Sequence, residues 1–155
     1  MSSSIETKLA EQGLSLPVAA APAANYVPWT VAGNIVHISG QLPMQDGKVA
    51  VLGKLGESVE VDAGQEAARL CALNILAQLK AACGGDLGKA RRCLRLGGFV
   101  NATPNFSEHP KVINGASDLI VAAMGDGGRH ARFAVGVAGL PFGAAVEVDA
   151  TFEIA

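Results

Sequence analysis

The chain has 155 residues and a formal net charge of −2; it is 50% hydrophobic, only 17% charged and 5% aromatic, with 19 glycines. That size fits one domain whose core is built mainly from Ala, Val, Leu and Ile, and the composition excludes bulk disorder, which needs low hydrophobicity and high net charge. The slightly acidic balance argues against a dedicated nucleic-acid binder, which needs surplus Lys and Arg to displace counterions.

In chain order, Ser3 and Glu6 have capping-box spacing, Ile5 and Leu9 lie one turn apart, and Gly13 follows, which predicts a helix over residues 4–12. The Pro- and Ala-rich stretch from Leu16 to Ala24 reads as an extended linker lying on the body. The β-branched run Asn34–Ser39, closed by Gly40, predicts a strand. Asp46-Gly47 is a hairpin-type turn, after which Lys48–Leu52 returns as a second strand. Val61–Cys83 reads as a largely buried helix with one polar stripe through Glu66, Arg69, Leu73 and Lys80.

Arg92–Val100 predicts another strand, with Gly97-Gly98 marking a bulge or a close backbone approach. A second helix opens at His109-Pro110 and is closed by Gly127-Gly128. Phe133, Val135 and Val137 then alternate with Arg132, Ala134 and Gly136, and Val146–Ile154 alternates cleanly with Glu147, Asp149, Thr151 and Glu153 on one side. The result is an α+β sheet with helices on one face, and the need to cover the other face favours an oligomer.

The three cysteines, Cys71, Cys83 and Cys93, form no CxxC pair and read as reduced, buried thiols of a cytoplasmic protein. No apolar run reaches membrane-spanning length, and the N-terminal residues show no signal-peptide pattern. The basic cluster Lys89, Arg91, Arg92 and Arg95 reads as a solvated strand edge. His37, His109 and His130 have no metal-ligand spacing, and neither a serine-nucleophile elbow nor a phosphate-binding glycine loop is present. His37 reads as a satisfied strand residue, and His130 as a possible donor to an anion near Arg132.

Two features can carry chemistry. Arg132 shares its strand face with the small Ala134 and Gly136, and its planar fork suits a carboxylate in that space; the alternative is a structural pairing with an acid on the last strand. Glu147 and Asp149 point the same way, either holding a water as general base or forming a solvent face.

Several runs resemble the RidA/YjgF/L-PSP family. Tyr26, Gly33-Asn34 and Ser39-Gly40-Gln41-Leu42-Pro43 resemble its N-terminal signature. Ala131-Arg132-Phe133-Ala134-Val135-Gly136-Val137-Ala138-Gly139-Leu140-Pro141, continuing into Val146-Glu147-Val148, resembles its C-terminal one. Asn74-Ile75-Leu76 and Val112-Ile113-Asn114 match weaker positions. The resemblance covers residues 25–155 of one domain spanning 1–155, with 1–24 as an N-terminal extension. It implies a chorismate-mutase-like mixed sheet with two helices packed on one face, and a homotrimeric barrel with sites at subunit interfaces. It also implies hydrolysis of reactive enamines and imines of the 2-aminoacrylate type to 2-keto acids and ammonia, without metal or organic cofactor. In that reading Arg132 grips the substrate carboxylate and Asp149 positions the water, while Tyr26, Ser39 and Asn114 line the pocket. Ala134 stands where that branch often has cysteine, and Asp149 where it has glutamate. The competing functions are a non-catalytic protein that binds small carboxylates and an endoribonuclease; the net charge of −2 argues against the latter.

Overall fold

The computed structural model describes residues 3–22 and 24–155, so residues 1, 2 and 23 of the N-terminal extension lie outside the described residues. Its elements are α1 (Ser4–Glu11), β1 (Trp29–Ala32), β2 (Ile35–Gln41), β3 (Met44–Gln45), β4 (Lys48–Val49), α2 (Val61–Ala82), β5 (Ala90–Asn101), α3 (His109–Met124), β6 (Ala131–Val137) and β7 (Val146–Ile154). Five strands form one mixed sheet in the order β1-β2-β7-β5-β6. Only β5 and β6 pair in parallel, and α3 supplies the crossover that such a pair requires.

The first hairpin differs from the expectation. β2 pairs not with Lys48–Leu52 but with β1, through a two-residue turn at Gly33-Asn34 where Gly33 adopts φ 61°. Asp46 and Gly47, at φ 53° and 78°, instead close the separate ribbon of β3 and β4. Positive φ at both central residues matches the twist of a tight hairpin, so this turn folds on itself and leaves the edge of β2 to β1. The other elements fall where their periodicity places them.

Inward residues of the sheet, among them Val36, Leu96, Val148 and Phe152, are fully buried under α2 and α3. At Gly98 a Cβ would come within 2.6–2.8 Å of three Ile113 side-chain atoms, so glycine lets α3 approach β5. The predicted polar stripe of α2 is interrupted: Leu70 through Leu79 are buried all round. The N-terminal extension does much of the covering. The capping box of α1 forms, Ile5 and Leu9 are buried, Glu6 pairs with Lys80 at 2.9 Å, and Gln78 donates to the Ala20 carbonyl at 2.7 Å. All three cysteines are free and buried. Among the described residues no helix is long and apolar enough to cross a membrane.

The opposite face of the sheet carries His37, Arg95, Phe99, Phe133, Glu147, Asp149 and Thr151. Arg95 lies 5.0 Å over the Phe133 ring, Phe133 meets Phe99 edge-on, and His37 Nδ1 is 3.1 Å from Thr151 Oγ1.

Candidate functional site

Arg132 is the second residue of edge strand β6 and turns toward α3. Its Nη1 donates to Ser117 Oγ and its Nη2 to the Pro110 carbonyl, each at 3.0 Å. Among the described residues no carboxylate lies within ion-pairing distance of it. The alternative pairing with the last strand does not form, because β5 separates β6 from β7. Arg95 makes that pairing instead, reaching Asp149 at 3.1 Å. An arginine has five N–H donors, so two bonds to uncharged acceptors fix the guanidinium and leave its charge and three donors for a ligand.

Asn114 is exposed on α3 and lies four residues after Pro110 and three before Ser117, a spacing that places it beside both anchors of Arg132. His130 belongs to the same group: its Nε2 is 2.8 Å from Ser117 Oγ and its Nδ1 2.6 Å from the Gly128 carbonyl. Farther along β6, a Cβ at Gly136 would overlap the His109 ring. Gly136, His109, Phe106 and Thr103 line an open cleft of about 370 Å³.

The second group lies elsewhere. Ser39 and Gly40 of β2 together oppose the single residue Asp149 of β7, a β-bulge between the pairs Ile38–Ala150 and Gln41–Val148. Ser39 Oγ donates to the Val27 carbonyl at 2.8 Å, tying the bulge to the segment that carries Tyr26. At Gly40 a Cβ would overlap the Glu147 carboxylate, so the missing side chain makes room for that acid. A cavity of about 110 Å³ is bounded by Gly40, Tyr26, Ala20, Pro22 and Phe142. Tyr26 is 47% exposed and Phe142 71% exposed, and Phe142 holds φ 58°, a conformation uncommon for a bulky residue. Burial, and then the neighbouring Asp149, push the Glu147 carboxyl above the ordinary carboxylate range.

The predicted site residues therefore divide. Arg132 lies on the helix side of β6, and Asn114 on α3 beside its anchors. Tyr26 and Ser39 meet around β1 and β2, and Asp149 lies on the face away from the helices. From β6 to β2 is three strand spacings, about 14 Å. One chain does not bring Arg132 and Asp149 into a common cleft. Glu147 is expected beside Asp149 as a water-holding acid and only the resemblance favours Asp149; Arg95, expected on a solvated strand edge, lies on an interior strand and pairs with Asp149, and Ser117 carries no expected role. The bulge that selects Glu147 has no sequence signal beyond Ser39-Gly40. Ser117 had one: it lies seven residues after Pro110, two turns along the same helix face. Among the described residues no three His, Cys, Asp or Glu side chains gather as a metal-holding group.

The sequence profile of the family described as "YjgF/chorismate_mutase-like, putative endoribonuclease" matches residues 6–151. Protein TCP17 of Trypanosoma cruzi is 52% identical over 151 residues, covering 97% of this chain and 94% of its own. The crystal structure of the Agrobacterium tumefaciens protein Atu1372, of unknown function, superposes with a TM-score of 0.93 at 56% identity, covering 98% of this chain and 93% of that one. The crystal structure of RidA from an Antarctic Psychrobacter superposes with a TM-score of 0.59 at 28% identity, covering 90% and 98%.

Proposed function

The chain belongs to the RidA/YjgF/L-PSP family, and from that premise we propose that it hydrolyses reactive amino-acid-derived enamines and imines to 2-keto acids and ammonia. The observation that carries the reading is the state of Arg132, fixed by Ser117 and Pro110 with no acid among the described residues to neutralise it. A guanidinium held in this way is poised to take a carboxylate through its remaining N–H donors.

The reaction needs little more. The enamine tautomerises to the imine, whose carbon is the electrophile. A water adds to that carbon as a carboxylate accepts its proton and passes it to the nitrogen, onto which the C=N electron pair has moved. The carbinolamine then collapses: its hydroxyl proton passes to the nitrogen, the keto C=O forms as the C–N bond breaks, and ammonia leaves the 2-keto acid. We assign the base to Glu147 rather than Asp149. Asp149 is engaged by Arg95, whereas Glu147 sits beside Gly40 with a raised proton affinity, which suits a base working near neutral pH. Tyr26, Ser39 and Asn114 line the same site in this reading.

Because Arg132 and Glu147 lie on opposite sides of one sheet, the site is completed between copies, Arg132 from one and Glu147, Tyr26 and Ser39 from the next. A homotrimer that buries the open sheet face would provide such boundaries. The test is release of 2-keto acid from enzymatically generated 2-iminopropionate. The wild type accelerates it and Arg132→Ala does not. No acceleration by the wild type with several such imines refutes the proposal, and carboxylate binding without turnover replaces it with a binding protein.

A further inference from the structure

We propose that Ser117 and His130 are positioning residues that hold the Arg132 guanidinium in its carboxylate-binding orientation, an inference that rests on the carboxylate role of Arg132. The hydrogen bonds can be followed atom by atom. The Gly128 carbonyl only accepts, so His130 Nδ1, 2.6 Å away, carries the hydrogen. On the neutral ring Nε2 is then an acceptor, and its partner at 2.8 Å, the Ser117 hydroxyl, donates to it. With its hydrogen drawn toward His130, Ser117 presents its lone pairs to Arg132 Nη1 at 3.0 Å. Each contact in the chain has one donor and one acceptor.

This arrangement is unusual for a serine inside a helix, whose hydroxyl ordinarily bonds the carbonyl one turn back and then has no fixed direction toward a neighbour. Here the histidine sets that direction. His130 and Arg132 are two residues apart in extended chain, so both reach the same side, and α3 carries Ser117 and Pro110 two turns apart to meet them. The two bonds of Arg132 are then made to different groups from different parts of α3, one to a side chain and one to the backbone. That defines the guanidinium plane, which a single contact would leave free to swing.

The test measures pyruvate affinity by calorimetry, KM and kcat with 2-iminopropionate, and rotation of the Arg132 guanidinium by nitrogen NMR. Ser117→Ala is expected to weaken pyruvate binding about five- to tenfold, the loss of one charge-assisted hydrogen bond. It should raise KM by the same factor, leave kcat within about twofold because ground-state and transition-state anchoring fall together, and free the guanidinium to rotate. Ser117→Thr, which keeps the hydroxyl, should restore wild-type values, and His130→Ala should fall between. Wild-type affinity and restrained rotation in Ser117→Ala, with affinity lost in Arg132→Ala, would overturn the positioning role alone. Unchanged affinity in Arg132→Ala would instead overturn the carboxylate reading beneath it. If Ser117→Ala does not fold, His130→Ala and the NMR measurement decide the matter.

Discussion

The division of the candidate residues predicts that two inactive variants restore each other. Arg132→Ala removes the proposed carboxylate anchor. Glu147→Gln removes the proposed base, a group whose loss costs about 10²–10⁴ in rate. In one chain these residues lie on β6 and β7, two strand spacings or about 10 Å apart and on opposite sides of the sheet. In a closed cyclic assembly every boundary takes one face from each neighbour. A mixed trimer holds two copies of one variant and one of the other, so about one boundary in three carries both Arg132 and Glu147. The two variants are co-expressed with different tags, the mixed assembly is isolated through both tags, and 2-keto acid release is compared with each variant alone. Recovery toward about a third of wild-type activity is expected. A mixed assembly no more active than its parents would refute the reasoning, because both groups would then act from the same chain.

Three further outcomes follow from local geometry. Glu147 titrates above the ordinary carboxylate range and must be ionised to act, so kcat/KM should rise with pH through that raised value; Asp149→Asn should move the rise to lower pH, and an unmoved profile would contradict the coupling. The carboxyl of Glu6 is held low, first by its hydrogen bond from Lys80, so its contribution to stability is present above the unfolded value of about 4.3 and lost as pH falls through the lower folded value. Glu6→Gln should therefore cost about 0.2–1 kcal/mol at pH 7 in urea unfolding, a small amount because the pair is partly exposed, and the difference from wild type should close in acid. Gly98→Ala would place a methyl against the Ile113 side chain and should destabilise by about 1–3 kcal/mol, read as a lower urea midpoint at unchanged slope.

The regular elements were legible because each carries a repeating signal. The alternation of Val146–Ile154 gave β7 its full length, and the Ala- and Leu-rich run gave α2 within one residue. β1 was not legible. Its four residues, Trp29–Ala32, are too short to show alternation, and Val31, 49% exposed, has no cover at the sheet edge. Asp46-Gly47 was a sound turn signal, but a turn fixes only the strands it joins. Which strand lies beside β2 depends on the competing turn at Gly33-Asn34. The burial of Asn74 and Gln78 was likewise outside the reach of helical periodicity, because it depends on the β3–β4 ribbon and the extension, where Asn74 donates to the Met44 carbonyl and Gln78 to the Ala20 carbonyl.

The same limit applies at the site. Alternation places Glu147 and Asp149 on one face of β7 and cannot rank them, since the two carboxylates differ only by one step along the strand. What separates them is what lies across the sheet. On one side β5 presents Arg95 to Asp149. On the other, the extra residue in β2 puts Gly40, with no side chain, against Glu147. One acid thereby gains a cation and the other loses water without gaining one, and the raised proton affinity of Glu147 follows from that burial. A motif of adjacent residues records neither event, because both depend on pairing registers set more than a hundred residues apart for β2 and about fifty apart for β5. The arginine is the reverse case: the room that Gly136 leaves on its strand is taken by the His109 ring, and its separation from the acids of β7 is fixed by its position on an edge strand, with β5 between.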